Sequence, residues 1–190
     1  MPTENERKYV LRLDCEKEID FCNFKLQKFY LHQGYLAFSK GMTLRLRSSQ
    51  EIIDNNLQEI KRKLCYKQKV NNRVVEIEKK LDKRDFDDLW ANCLNKVQKI
   101  RYSINLGKYL WDIDFFKNHH NETYFVMAEC EMPENCIEPK FIPDIIQKHL
   151  IFSVPMDSDD YSTKRLACAS HAKKVYKKLI NEKEENCIKT

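Results

Sequence analysis

Glu4-Asn5-Glu6-Arg7-Lys8-Tyr9-Val10-Leu11, close to the start of the chain, is the stretch from which the rest can be read. Side chains alternate across a β-strand, so a strand here sets Glu4, Glu6 and Lys8 on one face and Tyr9 and Leu11 on the other. Acidic residues are poor strand formers and occupy strands mainly where water or a ligand compensates them. A single such stretch is ordinarily a solvated face, because charged residues are mostly exposed.

The pattern recurs along the chain. Basic residues spaced i, i+2 stand at Arg45/Arg47, Lys67/Lys69 and Lys99/Arg101, and acidic residues with the same spacing at Glu76/Glu78, Asp112/Asp114 and Glu129/Glu131. Most of these pairs alternate with apolar neighbours, such as Leu44 and Leu46 or Trp111, Ile113 and Phe115. The expected sheet is therefore apolar on one face and charged on the other, with whole strands sorted by sign. Like charges two residues apart repel, so the arrangement makes sense chiefly where each pair meets opposite charge across the sheet or on a ligand.

Eight ordered blocks carry a resemblance: Glu4-x-Glu6-x-Lys8, Gln33-Gly34-Tyr35-Leu36, Thr43-Leu44-Arg45-Leu46-Arg47, Lys69, Glu76-x-Glu78, Lys99-Ile100-Arg101-Tyr102, Trp111-Asp112-Ile113-Asp114 and Met127-Ala128-Glu129-Cys130-Glu131-Met132-Pro133. Over residues 1 to about 166 the chain resembles the CYTH family of triphosphate tunnel metalloenzymes, in particular its single-domain bacterial members. The resemblance implies an α+β, mainly β fold: a closed eight-stranded antiparallel tunnel barrel with helices packed outside. Residues 167–190 are expected to add a basic helix and a frayed tail to the same domain.

A tripolyphosphate chain suits arginine forks and lysine point charges, and the expected anion clamp is Lys8, Arg45, Arg47, Lys69, Lys99 and Arg101. Arg73 resembles the family's arginine before the acid pair, although its odd spacing from Glu76 would require a bulge. Carboxylates facing phosphate need a hard divalent cation between them, so Mg²⁺ or Mn²⁺ is the implied cofactor. By resemblance Glu4, Glu6, Glu129 and Glu131 hold metal, while Glu76, Glu78 and Asp114 hold a second ion or orient the attacking water. The implied reaction is metal-dependent hydrolysis of inorganic triphosphate to pyrophosphate and phosphate, with no covalent nucleophile. A class IV adenylate cyclase, a thiamine triphosphatase and a non-catalytic polyphosphate-binding module are the alternatives. Lys67 reads either as part of this set or as the outward half of a surface pair. Asp112 reads as a metal-side acid or as support for its neighbours, and Tyr161 and Lys164 as a cover over one mouth or as plain surface.

The 190 residues suit one domain. The net charge of +5 is concentrated in residues 40–80, where eleven bases face five acids. Aromatic interleaving and a basic helix face are absent there, which favours a compact polyanion over nucleic acid. Eight irregularly spaced cysteines without a C-x-x-C imply reduced thiols and a cytoplasmic protein, and the lack of a long apolar run implies no membrane partner. A monomer or homodimer is expected. Three glycines are too few for a glycine-rich phosphate loop, so side chains must hold phosphate.

In order, the periodicity predicts strands at about 3–12, 25–38, 42–49, 61–70, 73–81, 96–106, 109–117 and 123–132. Short helices are expected near 15–24, 82–94 and 139–150, with a basic helix from 163. Residues 50–60 read as a long polar connection.

Overall fold

The computed structural model describes residues 5–21, 24–39, 41–70, 73–156 and 158–188; the side chains of Arg73 and of residues 185–188, and all of Glu4, lie outside that description. Strand β1 is Glu6–Leu11. In place of the helix expected at 15–24, the described residues hold one 3₁₀ segment, Leu13–Lys17, with residues 22 and 23 of that span outside the description. Strands β2 (Leu26–Ser39) and β3 (Met42–Ile53) form a long hairpin. The polar connection expected at 50–60 is shorter: β3 takes in residues 50–53, and the chain then turns at Asp54 and Asn55, both in the left-handed region that Asp and Asn tolerate. Two-residue β4 (Asn56–Leu57) then pairs back on β3.

Strands β5 (Lys61–Val70) and β6 (Arg73–Lys80) follow, and Asn71 and Asn72 between them lie outside the described residues. Helix α1 (Lys83–Ala91) starts where Asp82 accepts a 2.8 Å hydrogen bond from the Asp85 amide, which satisfies one of the orphan donors of the first turn. Strands β7 (Asn95–Leu106), β8 (Tyr109–Lys117) and β9 (Thr123–Glu131) make a meander. The helix expected over 139–150 shrinks to the single turn α2 (Asp144–Gln147), and a tenth strand, β10 (Leu150–Ser153), follows it. The C-terminal helix is broken into α3 (Thr163–Leu166) and α4 (Ala169–Ile188).

The sheet is antiparallel throughout, in the order β10-β1-β9-β8-β7-β2-β3-β5-β6, with β4 beside β3. It has ten strands and is not closed, which overturns the expected closed eight-stranded barrel. The physical reason is β10. One edge of β1 is hydrogen-bonded to β9 and the other to β10, so β1 has no free edge for β6 to close upon. Helices are few and small, and the fold is mainly β.

Register places every acid and base pair on one face. Lys8 opposes Glu129, Glu129 opposes Asp112, Arg101 opposes Asp114, Arg45 opposes Cys65 and Lys67 opposes Glu76. The other face buries Tyr9, Leu11, Trp111, Ile113, Phe115 and Cys130 against Leu13, Ile19, Phe21, Phe24 and Ile146. A second core buries Val10, Met127 and Phe116 with Leu166, Ala172 and Leu179 of the C-terminal helices. Among the described residues no helix is long and apolar enough to cross a membrane, and the six cysteines whose side chains are described are free.

Candidate functional site

The charged face surrounds a cavity of about 320 Å³, lined by Glu6, Lys8, Tyr35, Thr43, Arg45, Arg47, Lys67, Glu76, Lys99, Arg101, Glu129 and Glu131, with Ser162, Thr163 and Lys164 from the C-terminal segment. Its walls come from β1, β2, β3, β5, β6, β7 and β9, because the alternation of each strand turns its charged residues the same way. Seven side chains are cationic and four are carboxylates. A compact polyanion is the ligand that such a ring suits.

The floor is an ion-pair network. Arg101 donates to Asp114 through Nε and Nη2, both at 2.7 Å, and to Glu129 Oε2 at 3.0 Å. It also pairs with Asp112, and Lys99 pairs with Asp114. Ser103 Oγ donates to the other Asp112 oxygen. Burial alone would raise the Asp114 pKa, but Arg101 and Lys99 outweigh it and hold the carboxylate ionised. Glu129 is likewise held below the usual range against the effect of burial, by Lys8, Lys99 and Arg101. Burial, with Arg101 alongside, pushes Lys99 down to about 8.

The upper wall is more open. Lys67 Nζ lies 3.3 Å from Glu76 Oε2, and Arg45 Nη2 lies 4.0 Å from Glu76 Oε1. Arg47 is braced by buried Gln33, whose amide oxygen, turned towards it, accepts from Nε at 2.7 Å and Nη2 at 2.8 Å. Burial, then Arg45 and Arg101, lower Arg47 to about 10, which keeps it charged at neutral pH. On β1, Lys8 Nζ sits 2.7 Å from Glu6 Oε1 and 3.5 Å from Glu129 Oε1.

Of the residues expected from sequence, the cavity brings together Glu6, Lys8, Arg45, Arg47, Glu76, Lys99, Arg101, Glu129 and Glu131. Asp114 lies beneath it, fully buried, with both oxygens accepting from Arg101 and Lys99. It positions those two cations and presents no oxygen to the cavity, unlike the metal ligand expected. Glu78 is also outside the lining, 2.6 Å from Lys63 Nζ. Lys69 is displaced to a neighbouring cavity. Glu4 and the Arg73 side chain fall outside the described residues. Lys67 turns inward, as its i, i+2 pairing with Lys69 allows, and Ser162 and Thr163 are lining residues that no charge pattern signalled.

Glu6, Glu129 and Glu131 offer hard carboxylate oxygens on adjacent strands, with Glu6 directly opposite Glu131, but those oxygens do not all gather within 4.8 Å of one another. Among the described residues, the group whose ligand atoms lie within 4.8 Å of one another is Cys65, Glu76 and Glu78. That thiol donates to Glu76 at 3.0 Å and burial raises its pKa, so it suits a hard cation poorly.

No protein-family model and no curated protein matches the chain. Among solved structures it is similar to a conserved hypothetical protein from Pyrococcus furiosus, at 15% identity over 77% of this chain and 83% of that one, with a TM-score of 0.48.

Proposed function

We propose that the chain is a CYTH-type, divalent-metal-dependent triphosphatase that hydrolyses inorganic tripolyphosphate to pyrophosphate and phosphate. The observation that carries the reading is the single cavity in which seven cations and four carboxylates converge. Cations alone would suit any anion; carboxylates among them make sense where a cation bridges them to phosphate.

Glu6, Glu129 and Glu131 would hold Mg²⁺ or Mn²⁺, which supplies charge neutralisation and polarises phosphoryl oxygens when bound. Arg45 and Arg47 grip phosphate oxygens with planar forks, and Lys8 and Lys67 add point charges. Lys99 and Arg101 are fixed by Asp112, Asp114 and Glu129 before any ligand arrives, so their charge needs no reorganisation as the transition state forms. Glu76 is held ionised by the Cys65 hydrogen bond and by Lys67 against the effect of burial, and as an acceptor it orients the attacking water. The transition state of phosphoryl transfer is loose, so positioning and charge are the main demands on the protein.

Phosphate release from tripolyphosphate, ATP and thiamine triphosphate, each with Mg²⁺, Mn²⁺ or EDTA, tests the reading. Metal-dependent turnover confined to tripolyphosphate supports it. Cyclic AMP from ATP would replace it with a cyclase, and binding of tripolyphosphate without turnover would replace it with a polyphosphate-binding module.

A further inference from the structure

Six of the seven cations that line the charged cavity, Lys8, Arg45, Lys67, Lys99, Arg101 and Lys164, have a carboxylate oxygen at 4.0 Å or less. Among the described residues Arg47 is the exception. Its brace is Gln33, directly opposite it across the β2–β3 ladder, and the Gln33 amide oxygen accepts from Nε at 2.7 Å and from Nη2 at 2.8 Å. A carboxylate in that place would make the stronger pair, since both partners would be charged. It would also cancel the guanidinium charge at the point where an anion has to feel it.

The neutral amide does one of these jobs without the other. Gln33 is fully buried in the middle of β2, with β3 on one side and Val97 of β7 on the other, so it is held in place before it holds anything else. It takes up the Nε and Nη2 edge of the fork and leaves the Nη1 hydrogens unused. A fork ordered in advance loses less rotamer freedom when a ligand arrives. Arg47 needs no carboxylate to stay ionised at neutral pH, because burial, Arg45 and Arg101 lower it only to about 10.

We propose that Gln33 is a positioning residue for anion binding: it aims the Arg47 fork through a neutral acceptor and so keeps Arg47 as the uncancelled positive charge of the cavity. The proposal rests on the proposed function for the ligand, while the brace itself is read without any ligand.

Two variants of the full chain separate charge from aim. Gln33→Glu keeps an acceptor on Arg47 and adds a negative charge; Gln33→Met keeps the length of the side chain and removes the acceptor. Calorimetry with tripolyphosphate in EDTA, at several salt concentrations, should show at least about tenfold weaker binding by Gln33→Glu, with a flatter salt dependence because the cavity presents less charge. Gln33→Met should also bind more weakly, with the salt dependence of the parent. In ¹⁵N NMR of the free protein, a slowly exchanging arginine Nε–H signal that Arg47→Lys removes should be present in the parent and lost in Gln33→Met. Gln33→Met also carries the test where a buried carboxylate prevents folding.

Parent-like affinity in either folded variant, or the same salt dependence in both, overturns the proposal and leaves the proposed function standing. An Arg47 Nε–H signal that is fast-exchanging in the parent, or that persists in Gln33→Met, overturns it whatever the ligand does. A parent that binds no tripolyphosphate yet shows the slow Arg47 signal overturns the proposed function, and with it the role in anion binding, while the brace remains.

Discussion

Arg101 faces Asp114 across the β7–β8 ladder, and guanidinium meets carboxylate through two parallel contacts of 2.7 Å. Arg101 lines the cavity and Asp114 lies beneath it, wholly buried, with Lys99 on the same carboxylate. Removing the carboxylate leaves two cations facing each other in low dielectric. Asp114→Asn is therefore expected to destabilise the fold by about 3–5 kcal/mol, the range for breaking a buried pair. Urea unfolding at neutral pH measures it. A loss below about 1 kcal/mol would mean that the pair is solvated or rearranges freely.

The same carboxylate fixes an acid limb. Its folded pKa is depressed, so the stability it contributes is fully present above the unfolded value of about 3.9 and is lost as pH falls below that value towards the folded one. Urea midpoints recorded from pH 6 down to 2.5 should decline below about pH 4 in the parent. The decline should be shallower in Asp114→Asn.

Lys99 sets an alkaline limb on ligand binding. With its pKa pushed down to about 8 by burial and by Arg101, it carries charge below that pH and loses it above. Tripolyphosphate KM should rise as pH passes about 8, while Lys99→Gln should show a higher KM with no step there. Arg47, lowered only to about 10, contributes no change in that window.

Arg45 and Glu131 separate clamp from metal. Arg45→Ala should raise KM by roughly 10- to 100-fold, the scale of about 1.5–3 kcal/mol for a charged hydrogen bond, with kcat nearly unchanged. Glu131→Gln should abolish metal-dependent turnover yet retain tripolyphosphate binding in EDTA. Steady-state kinetics paired with calorimetry distinguishes the two.

Gly34 lies where α1 comes down on β2. A Cβ there would meet Cys93 Sγ at 2.5 Å and Trp90 Cζ3 at 2.9 Å. Gly34→Ala should cost about 1–3 kcal/mol through overpacking, read as a fall in melting temperature. An unchanged melting temperature would show that the turn after α1 moves aside readily.

The faces of the strands were legible because alternation is a local property. Lys99 and Arg101 had to share a side with Asp114 once both stretches were strands, and the cavity gathers nine of the expected residues for that reason. Closure was not legible, since it depends on which strand takes the free edge of β1. Leu150–Ser153 does so with four residues, too few to show a period. Ile145 and Ile146 at helical spacing from His149 read as one longer helix that swallowed this strand. The role of Asp114 was hidden too: spacing says that an acid faces the site, whereas depth below Lys99 and Arg101 decides whether it meets ligand or protein. Ser162 and Thr163 reach the cavity through the path of the chain after β10, which side-chain periodicity does not encode.

Phosphate release from tripolyphosphate by the purified chain, measured with Mg²⁺ or Mn²⁺ against EDTA and with Glu129→Gln alongside, decides whether the charged cavity performs metal-dependent hydrolysis. Turnover that requires metal and disappears in a folded Glu129→Gln protein is the expected result. Turnover unaffected by EDTA, or retained in full by Glu129→Gln, would contradict it.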